Sequence, residues 1–135
     1  LSLDIASAYP PEAKVTRWRR EVVLDRKKGE VVLTEELALD EAREPVRLHF
    51  LTPLLPEVAT PGRVVLSRTG GAPSSPEAGH VLLYDGKRFT ASVEEKAVTD
   101  ARLRPVWGDR LFRIVLTARQ SSRSGSHRVV VRSAR

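Results

Sequence analysis

Cysteine is absent from this chain of 135 residues, and so is methionine. Without cysteine, neither a disulfide framework nor a Cys-ligated zinc site can hold the fold together. No apolar run approaches the roughly 20 residues that a membrane-spanning helix needs, and no signal-peptide pattern opens the sequence. We therefore expect a single soluble domain, residues 1–135. Because a translated chain starts with methionine and this one starts with Leu1, we expect the domain to belong to a longer protein.

Recognisable catalytic and metal-binding motifs are also missing. The histidines His49, His80 and His127 lie far apart, and none has a second ligand at metal-site spacing. There is no Gly-x-Ser-x-Gly, and no glycine loop precedes a helix. We therefore predict no catalytic residue, no metal and no cofactor. A fold that gathered one of these histidines with Tyr9 or Tyr84 in an open pocket would contradict that prediction.

The dominant pattern in the sequence is a period of two, which favours antiparallel β-strands. It predicts about eight strands, at residues 14–25, 30–39, 46–52, 63–68, 80–84, 87–93, 110–118 and 127–132. Two of them should form a hairpin around Asp85-Gly86, while residues 93–101 fit a helical turn or continued strand equally well. So many short strands need two packed sheets, so the predicted fold is an all-β, antiparallel two-sheet β-sandwich.

Three segments are expected to lie outside the regular strands. Residues 1–13 read as a lead-in, residues 69–79 as a flexible loop rich in glycine, proline and serine, and residues 133–135 as a frayed tail. The prolines between residues 53 and 62 are expected to break any regular element there.

Positive charge is in excess and unevenly placed. The net charge is +6, and residues 14–28 hold seven basic residues against two acidic ones. Such clusters attract polyanions, but they also occur on solvated strand faces. The candidate contacts for an anionic glycan are Arg17, Arg19, Lys27, Lys28 and Trp107, the last because it lies beside Gly108 in a loop-like stretch. Burial of both tryptophans in the core is the alternative. Nucleic acid is not expected, because Trp18 is the only aromatic residue interleaved with the basic ones.

Several short sequence motifs, taken in order, resemble a known family. They are Ala8-Tyr9-Pro10, Val15-x-x-Trp18-x-Arg20-x-Val22-x-Leu24, Glu44-Pro45-Val46-x-Leu48-His49-Phe50-Leu51-Thr52-Pro53, Pro61-Gly62, Leu83-Tyr84-Asp85 and Asp100-x-x-Leu103-x-x-x-Trp107-Gly108-x-x-Leu111-x-Arg113-Ile114. The order resembles the C-terminal β-sandwich of the heparinase II/III-like polysaccharide lyases, bacterial enzymes that break uronic-acid glycosidic bonds by β-elimination. The resemblance implies an upstream α/α toroid that packs on this domain, and it is compatible with a periplasmic or secreted parent protein.

Three functional hypotheses follow. The first is a non-catalytic domain that packs on the toroid and supports its acidic-glycan cleft, since the family's catalytic groups match no residue of this chain. That hypothesis predicts an exposed apolar surface where the partner domain would sit. The alternative is a stand-alone module that binds anionic polysaccharides, and the third is an independent enzyme.

Overall fold

The fold is described by a computed structural model, which covers residues 1–68 and 79–134. Within these residues the chain forms ten strands: Ser2–Asp4 (β1), Val15–Asp25 (β2), Glu30–Leu39 (β3), Arg47–Thr52 (β4), Leu55–Thr60 (β5), Arg63–Ser67 (β6), His80–Leu83 (β7), Phe89–Ala97 (β8), Arg110–Ala118 (β9) and Ser124–Ser133 (β10). A four-residue helix, Arg104–Trp107 (α1), precedes β9, and two 3-10 turns, Ala6–Ala8 and Pro11–Ala13, precede β2.

The strands form two antiparallel sheets of unequal size. The larger sheet has seven strands in the order β1-β2-β3-β10-β7-β6-β5, and the smaller has three in the order β4-β9-β8. The predicted all-β, two-sheet fold is therefore confirmed, with ten strands in place of about eight. Both sheets carry the inward-outward alternation that a half-buried strand requires.

The core lies where the small sheet covers the large one. Its buried members are Trp18, Leu37, Val64, Leu66, Leu82 and Val129 from the large sheet and Leu48, Phe89, Ile114 and Leu116 from the small sheet. The core is mostly aliphatic because the sequence supplies few rings, and it contains one of the two tryptophans. Trp18 is 6% exposed, so burial in the core holds for this tryptophan.

The far end of the β2–β3 hairpin lies beyond the small sheet. Leu24 and Val31 are cross-strand neighbours, at positions that alternate onto the same face as Trp18. Leu24 is nevertheless 58% exposed. Three strands cannot cover the inner face of seven, so part of that apolar face is left open to solvent.

The predicted lead-in, residues 1–13, is wrong for its first part. Ser2–Asp4 pairs with Glu21–Arg19 and forms an edge strand of the large sheet. The backbone N–H of Val22 also donates to the carbonyl of Leu1 at 2.8 Å. The long β2 leaves backbone groups unpaired at its outer edge, and β1 satisfies them.

The prolines between residues 53 and 62 do not prevent a strand. Leu55–Thr60 pairs with β6, with Pro56 opposite Leu66. Because β5 is the last strand of its sheet, it has a partner on only one side, and proline's missing N–H costs no ladder bond on the solvent side.

The hairpin predicted around Asp85-Gly86 is also wrong. β7 pairs with β6 and β10 in the large sheet, whereas β8 pairs with β9 in the small one, so the turn carries the chain from one sheet to the other. Gly86 is needed because a Cβ there would lie 2.6 Å from the backbone of Pro61. Asp85-Gly86, although typical of a hairpin turn, therefore lies in a loop that packs closely against the loop containing Pro61.

Residues 93–101 continue as strand up to Ala97, so the strand alternative is the correct one there. The predicted flexible loop at residues 69–79 lies outside the described residues except for Gly79. In the predicted tail, Ser133 still belongs to β10, and Arg135 lies outside the described residues.

Candidate functional site

A fully buried carboxylate lies at the centre of the large sheet. Glu35 on β3 is 0% exposed, and it stands between Arg20 on β2 and His127 on β10 in the strand register. Charged side chains are rarely buried without partners, because desolvating an unpaired carboxylate costs several kcal/mol. The neighbours of Glu35 therefore define the most unusual polar site in the described part of the chain.

Both carboxylate oxygens of Glu35 accept hydrogen bonds. The indole Nε1 of Trp18 donates to Oε2 at 2.7 Å, and the guanidinium of Arg20 donates to Oε1 at 2.6 Å. Tyr9 also belongs to this cluster, because its ring stacks on Trp18 with centroids 5.0 Å apart and planes 7° from parallel. Arg20 and Glu35 both alternate onto the inner, apolar face of the β2–β3 hairpin, and their ion pair explains how two charged residues are accommodated there.

A groove beside this cluster runs along the open edge of the small sheet. It has a volume of about 490 Å³, and we call it the edge groove; it is lined by Tyr9, Glu12, Ala13, Lys14, Val15, Trp18, Leu39, Glu41, Arg43, Glu44, Pro45, Val46, Arg47 and His49. Its size falls within the range of about 300–1,000 Å³ typical of ligand pockets. Burial raises the pKa of the Tyr9 phenol, and Glu35 raises it further while Arg20 opposes both.

Tyrosine and histidine thus share a groove in two places. Tyr9 and His49 line the edge groove, and Tyr84 and His127 line a smaller recess of about 180 Å³. The edge groove therefore holds the grouping that would contradict the prediction of no catalytic residue, although no hydrogen bond joins either pair among the described residues. The smaller recess is below the usual size of a ligand pocket. In the edge groove the raised pKa of Tyr9 makes the phenol a weaker acid and disfavours the phenolate, which opposes a role as base.

A second cleft opens at the end of the sandwich where β8 begins, β9 ends and β10 begins. It has a volume of about 590 Å³, and we call it the basic cleft; it is lined by Lys87, Arg88, Phe89, Ala118, Arg119, Gln120, Ser122, Ser124, Gly125, Ser126 and His127. Three of these residues are cationic and none is acidic. Such a cleft concentrates positive potential, because the surrounding protein screens charge less than water does.

His127 is one of the residues that line the basic cleft. Its ring meets Phe89 edge to face, with centroids 4.9 Å apart, and its Nδ1 is buried with no hydrogen-bond partner in the described part of the protein. Burial lowers the pKa of His127, Arg88 lowers it further, and Glu35 and Asp85 oppose the shift. These surroundings therefore favour the neutral imidazole over the imidazolium.

The five predicted glycan contacts lie on separate surfaces. Arg17 and Arg19 point to the outer face of β2, where the Arg17 guanidinium lies 3.2 Å from the carboxylate of Glu36 and Arg19 Nε donates to the hydroxyl of Ser2 at 3.1 Å. Lys27 and Lys28 occupy the tip of the β2–β3 hairpin, eight and nine residues along the chain from Arg19. β2 runs six residues from Arg19 to Asp25, so at about 3.3 Å per residue the hairpin tip begins roughly 20 Å from Arg19.

Trp107 belongs to neither of these surfaces. It is the last residue of α1, is 45% exposed, and lines a cleft of about 500 Å³ with Pro53, Glu95, Ala97, Gly108, Asp109 and Arg110. Burial of both tryptophans in the core is therefore wrong for Trp107, since α1 contributes no buried residue. The structure brings Arg17 and Arg19 together, and Lys27 and Lys28 together, but it does not unite the five.

The residues that sequence reasoning missed are those of the basic cleft. Arg88, Arg119 and His127 come from three separate stretches of the chain and meet because the turn at Asp85-Gly86 changes sheets. The one signal in the sequence is the stretch from residue 119 to residue 135, which holds five arginines and no acidic residue. Within residues 1–68 and 79–134, no cluster of three or more metal-ligating side chains occurs, and no helix has the length and apolarity to cross a membrane.

The fold and these clefts define an all-β, two-sheet protein with a basic end. No protein-family model matches the chain, and no curated protein matches it significantly in sequence. The resemblance to the heparinase II/III-like lyases stays a prediction that depends on the residues quoted above.

Proposed function

We propose that this chain is a non-catalytic β-sandwich domain that packs on an α/α toroid domain of the same protein and supports its acidic-glycan cleft. The observation that carries the proposal is the uncovered end of the large sheet. There the apolar residues Leu3, Val22, Leu24 and Val31, which we call the hairpin patch, share one face. Leu3, Leu24 and Val31 are between 39% and 58% exposed.

The hairpin patch is inward-facing surface without a cover. Its positions alternate onto the same face as Trp18 and Glu35, which are buried under the small sheet. A sheet that meets water on one face normally carries polar residues there. An apolar centre bordered by the charged tip Arg26-Lys27-Lys28 has instead the composition of an interface, with a dry core and a polar rim.

In this proposal the toroid carries out the β-elimination, and the glycan cleft lies at the junction between the two domains. The resemblance implies tyrosine and histidine proton carriers in the toroid and at the start of the β region, and no residue of this chain matches their motifs. What this domain contributes is a rigid wall: Glu35, Arg20 and Trp18 lock β2 to β3 at the base of the same hairpin. A hairpin held at its base can present its far end to a partner without losing order.

The test compares the chain alone with the complete protein encoded by the same reading frame. Hydrogen exchange of the backbone amides at residues 22–32 should slow in the complete protein, because a docked domain covers that end of the hairpin. Leu24→Glu should restore fast exchange there and release the chain from a separately expressed toroid. Val106→Glu is the matched control, since Val106 is 74% exposed on α1 and lies outside the hairpin patch.

Either of two results would contradict the proposal. One is a reading frame that encodes no helix-rich region of several hundred residues beside this domain. The other is equal exchange at residues 22–32 in the chain alone and in the complete protein.

A stand-alone module for anionic polysaccharides is the second candidate function. It is favoured by Trp107, a half-exposed ring in a cleft beside Arg110, where a sugar ring can stack. The acidic residues Glu95 and Asp109 line the same cleft and oppose an anionic ligand. Titration with alginate-like and heparin-like oligosaccharides at low and moderate salt tests it: salt-sensitive binding that Trp107→Ala removes supports this function, and no binding rejects it.

A further inference from the structure

The basic cleft has a charge that its lining residues do not neutralise. Lys87 and Arg119 have no carboxylate oxygen within 4 Å in the described ranges, 1–68 and 79–134. Arg88 is only partly engaged, since its Nη1 donates to the carbonyl of Ser126 at 3.2 Å and its Nε lies 3.8 Å from the carboxylate of Asp85. Cations placed side by side repel one another, so a cleft of this kind is relieved by an anion.

The backbone holds these cations in place. The N–H of Arg119 donates to the carbonyl of Arg88 at 2.8 Å, which ties the loop after β9 to the turn before β8. The Asp85 carboxylate in turn accepts from the N–H of Lys87 at 2.9 Å. Because the bonds fix the two loops against each other, the three cationic side chains start from a preorganised frame.

The imidazole of His127 also lines the basic cleft. A Cβ on Gly125 would lie 2.9 Å from Nε2 of His127, so the ring occupies space that only glycine leaves free. The Ser124 hydroxyl and the Gln120 amide complete the lining and can donate hydrogen bonds, whereas the Ser122 hydroxyl already donates to the carbonyl of Ser124 at 2.7 Å. The lining residues therefore include three cations and several hydrogen-bond donors, and none of them carries a carboxylate.

We propose that the basic cleft binds a compact tetrahedral oxyanion, either a free sulfate or phosphate ion or the same group as an ester on a larger molecule. Arginine matches such oxygens with paired N–H donors, and lysine adds a point charge. The volume of about 590 Å³ exceeds what a single ion needs, which leaves room for an attached group. The site does not depend on the hairpin patch: Val31 lies near the start of β3, whereas Ser124 of the cleft pairs with Ala38 near the end of that strand.

Anion binding and protonation of His127 should reinforce each other. Arg88 from the turn before β8 disfavours the imidazolium, while Asp85 from the same turn and Glu35 from β3 favour it. A bound dianion would add to the second group and raise the pKa of His127. By reciprocity, sulfate should bind more tightly as the pH falls from 7.5 to 6, and sulfate is the right probe because it stays a dianion throughout.

The experiment is an NMR titration of the full chain with sodium sulfate, at ionic strength held constant with sodium chloride. We expect saturable shifts at residues 124–127 and a rise in the pKa of His127. Arg119→Gln should weaken binding by roughly tenfold, the effect of losing one charge-assisted hydrogen bond. Lys27→Gln, which removes the same charge at the hairpin tip, is the control and should leave the affinity unchanged.

Two further arms identify the source of the anion. Tighter binding of a sugar sulfate or sugar phosphate than of inorganic sulfate and phosphate assigns the site to an ester group, and equal binding assigns it to the free ion. The proposal is overturned if residues 124–127 show no saturable shift up to roughly 50 mM sulfate, where a Kd near 1 mM would be saturated. It is also overturned if Lys27→Gln weakens binding as much as Arg119→Gln does.

Discussion

The two ends of the β2–β3 hairpin follow the same alternation and meet opposite environments. Near one end, Trp18 and Leu37 are cross-strand neighbours, and both are buried. Near the other, Leu24 and Val31 are neighbours on the same face, and both are exposed. The strand pattern therefore specifies which face a residue takes, whereas the extent of the opposing sheet decides whether that face is buried. At the exposed end, a partner that packed on the hairpin would remove apolar surface from water, which favours association.

The same contrast applies to charge. Glu35 and Glu36 are consecutive, yet Glu35 is 0% exposed and joins Arg20 and Trp18, while Glu36 faces solvent and pairs with Arg17. Consecutive residues of a strand point to opposite faces, so one position along the chain separates a structural ion pair from a surface one.

Glu35→Ala should have the largest effect on stability. It leaves the indole N–H of Trp18 buried without an acceptor and takes the partner from Arg20, whose side chain is 37% exposed and can turn to solvent only in part. Removing one partner of a buried pair costs about 3–5 kcal/mol, and we expect a value near 3 in urea unfolding monitored by tryptophan fluorescence.

Glu36→Ala is the matched control for this substitution. It removes an exposed ion pair with Arg17, which is worth less than about 1 kcal/mol. If the two substitutions cost the same, the difference in burial between the two glutamates has no energetic weight.

Leu48→Ala and Leu24→Ala compare the same deletion in the covered and uncovered parts of the inner face. Leu48 is 2% exposed and belongs to the core, so its loss should cost about 2–3 kcal/mol in the same unfolding measurement. Leu24 is half exposed and should cost less than about 1 kcal/mol, because little of its surface leaves water on folding. A large loss for Leu24→Ala in the isolated chain would show that the hairpin patch is already covered.

Much of the fold could be predicted from the sequence because the alternating pattern is local. The strands β2, β3, β4 and β9 lie close to their predicted positions, since Trp18, Leu37 and Leu48 mark their inner faces directly. The edge strands β1 and β5 were missed for different reasons. β1 is only three residues long, and β5 contains a proline that is harmless only at an edge.

The candidate site could be predicted far less well. Sequence spacing cannot show that the turn at Asp85-Gly86 joins two sheets, and it is this crossing that brings Arg88 to Arg119 and His127. The role of Glu35 was hidden for a similar reason. A charged residue at an inward position reads as an error in the pattern until its partner on the neighbouring strand is known.

His127 should make stability depend on pH. Its pKa in the folded protein lies below the ordinary value of about 6.5, so the unfolded chain binds more protons as the pH falls. The contribution of His127 to the free energy of unfolding is fully present above about pH 6.5 and is lost as the pH falls below it, by at most about 1.4 kcal/mol per pH unit for one proton. The measurement is urea unfolding at pH 7.5 and 5.5, and His127→Gln should reduce the difference between the two.

The interval from pH 7.5 to 5.5 excludes the acidic groups whose pKa values are lowered. Hydrogen bonds from Arg43 lower the pKa of Glu41, those from Arg113 and Lys96 lower that of Glu94, and those from Arg102 lower that of Asp100, so all three stay ionised throughout. An equal pH dependence in the wild-type chain and in His127→Gln would show that the imidazole does not couple to folding.

The smallest expected effect is on catalysis, where we expect none from the chain alone. The edge groove places Tyr9 and His49 together with the cations Arg43 and Arg47, which are the residue types that β-elimination from a uronate requires. Burial, however, raises the pKa of Tyr9 and disfavours the phenolate that would abstract a proton. Incubation with uronic-acid polymers should therefore give no increase in the absorbance of unsaturated sugars, in the wild-type chain as in Tyr9→Phe. Sustained product formation that Tyr9→Phe or His49→Ala removes would make the edge groove an active site, and the division between a catalytic toroid and a supporting sandwich would then be wrong.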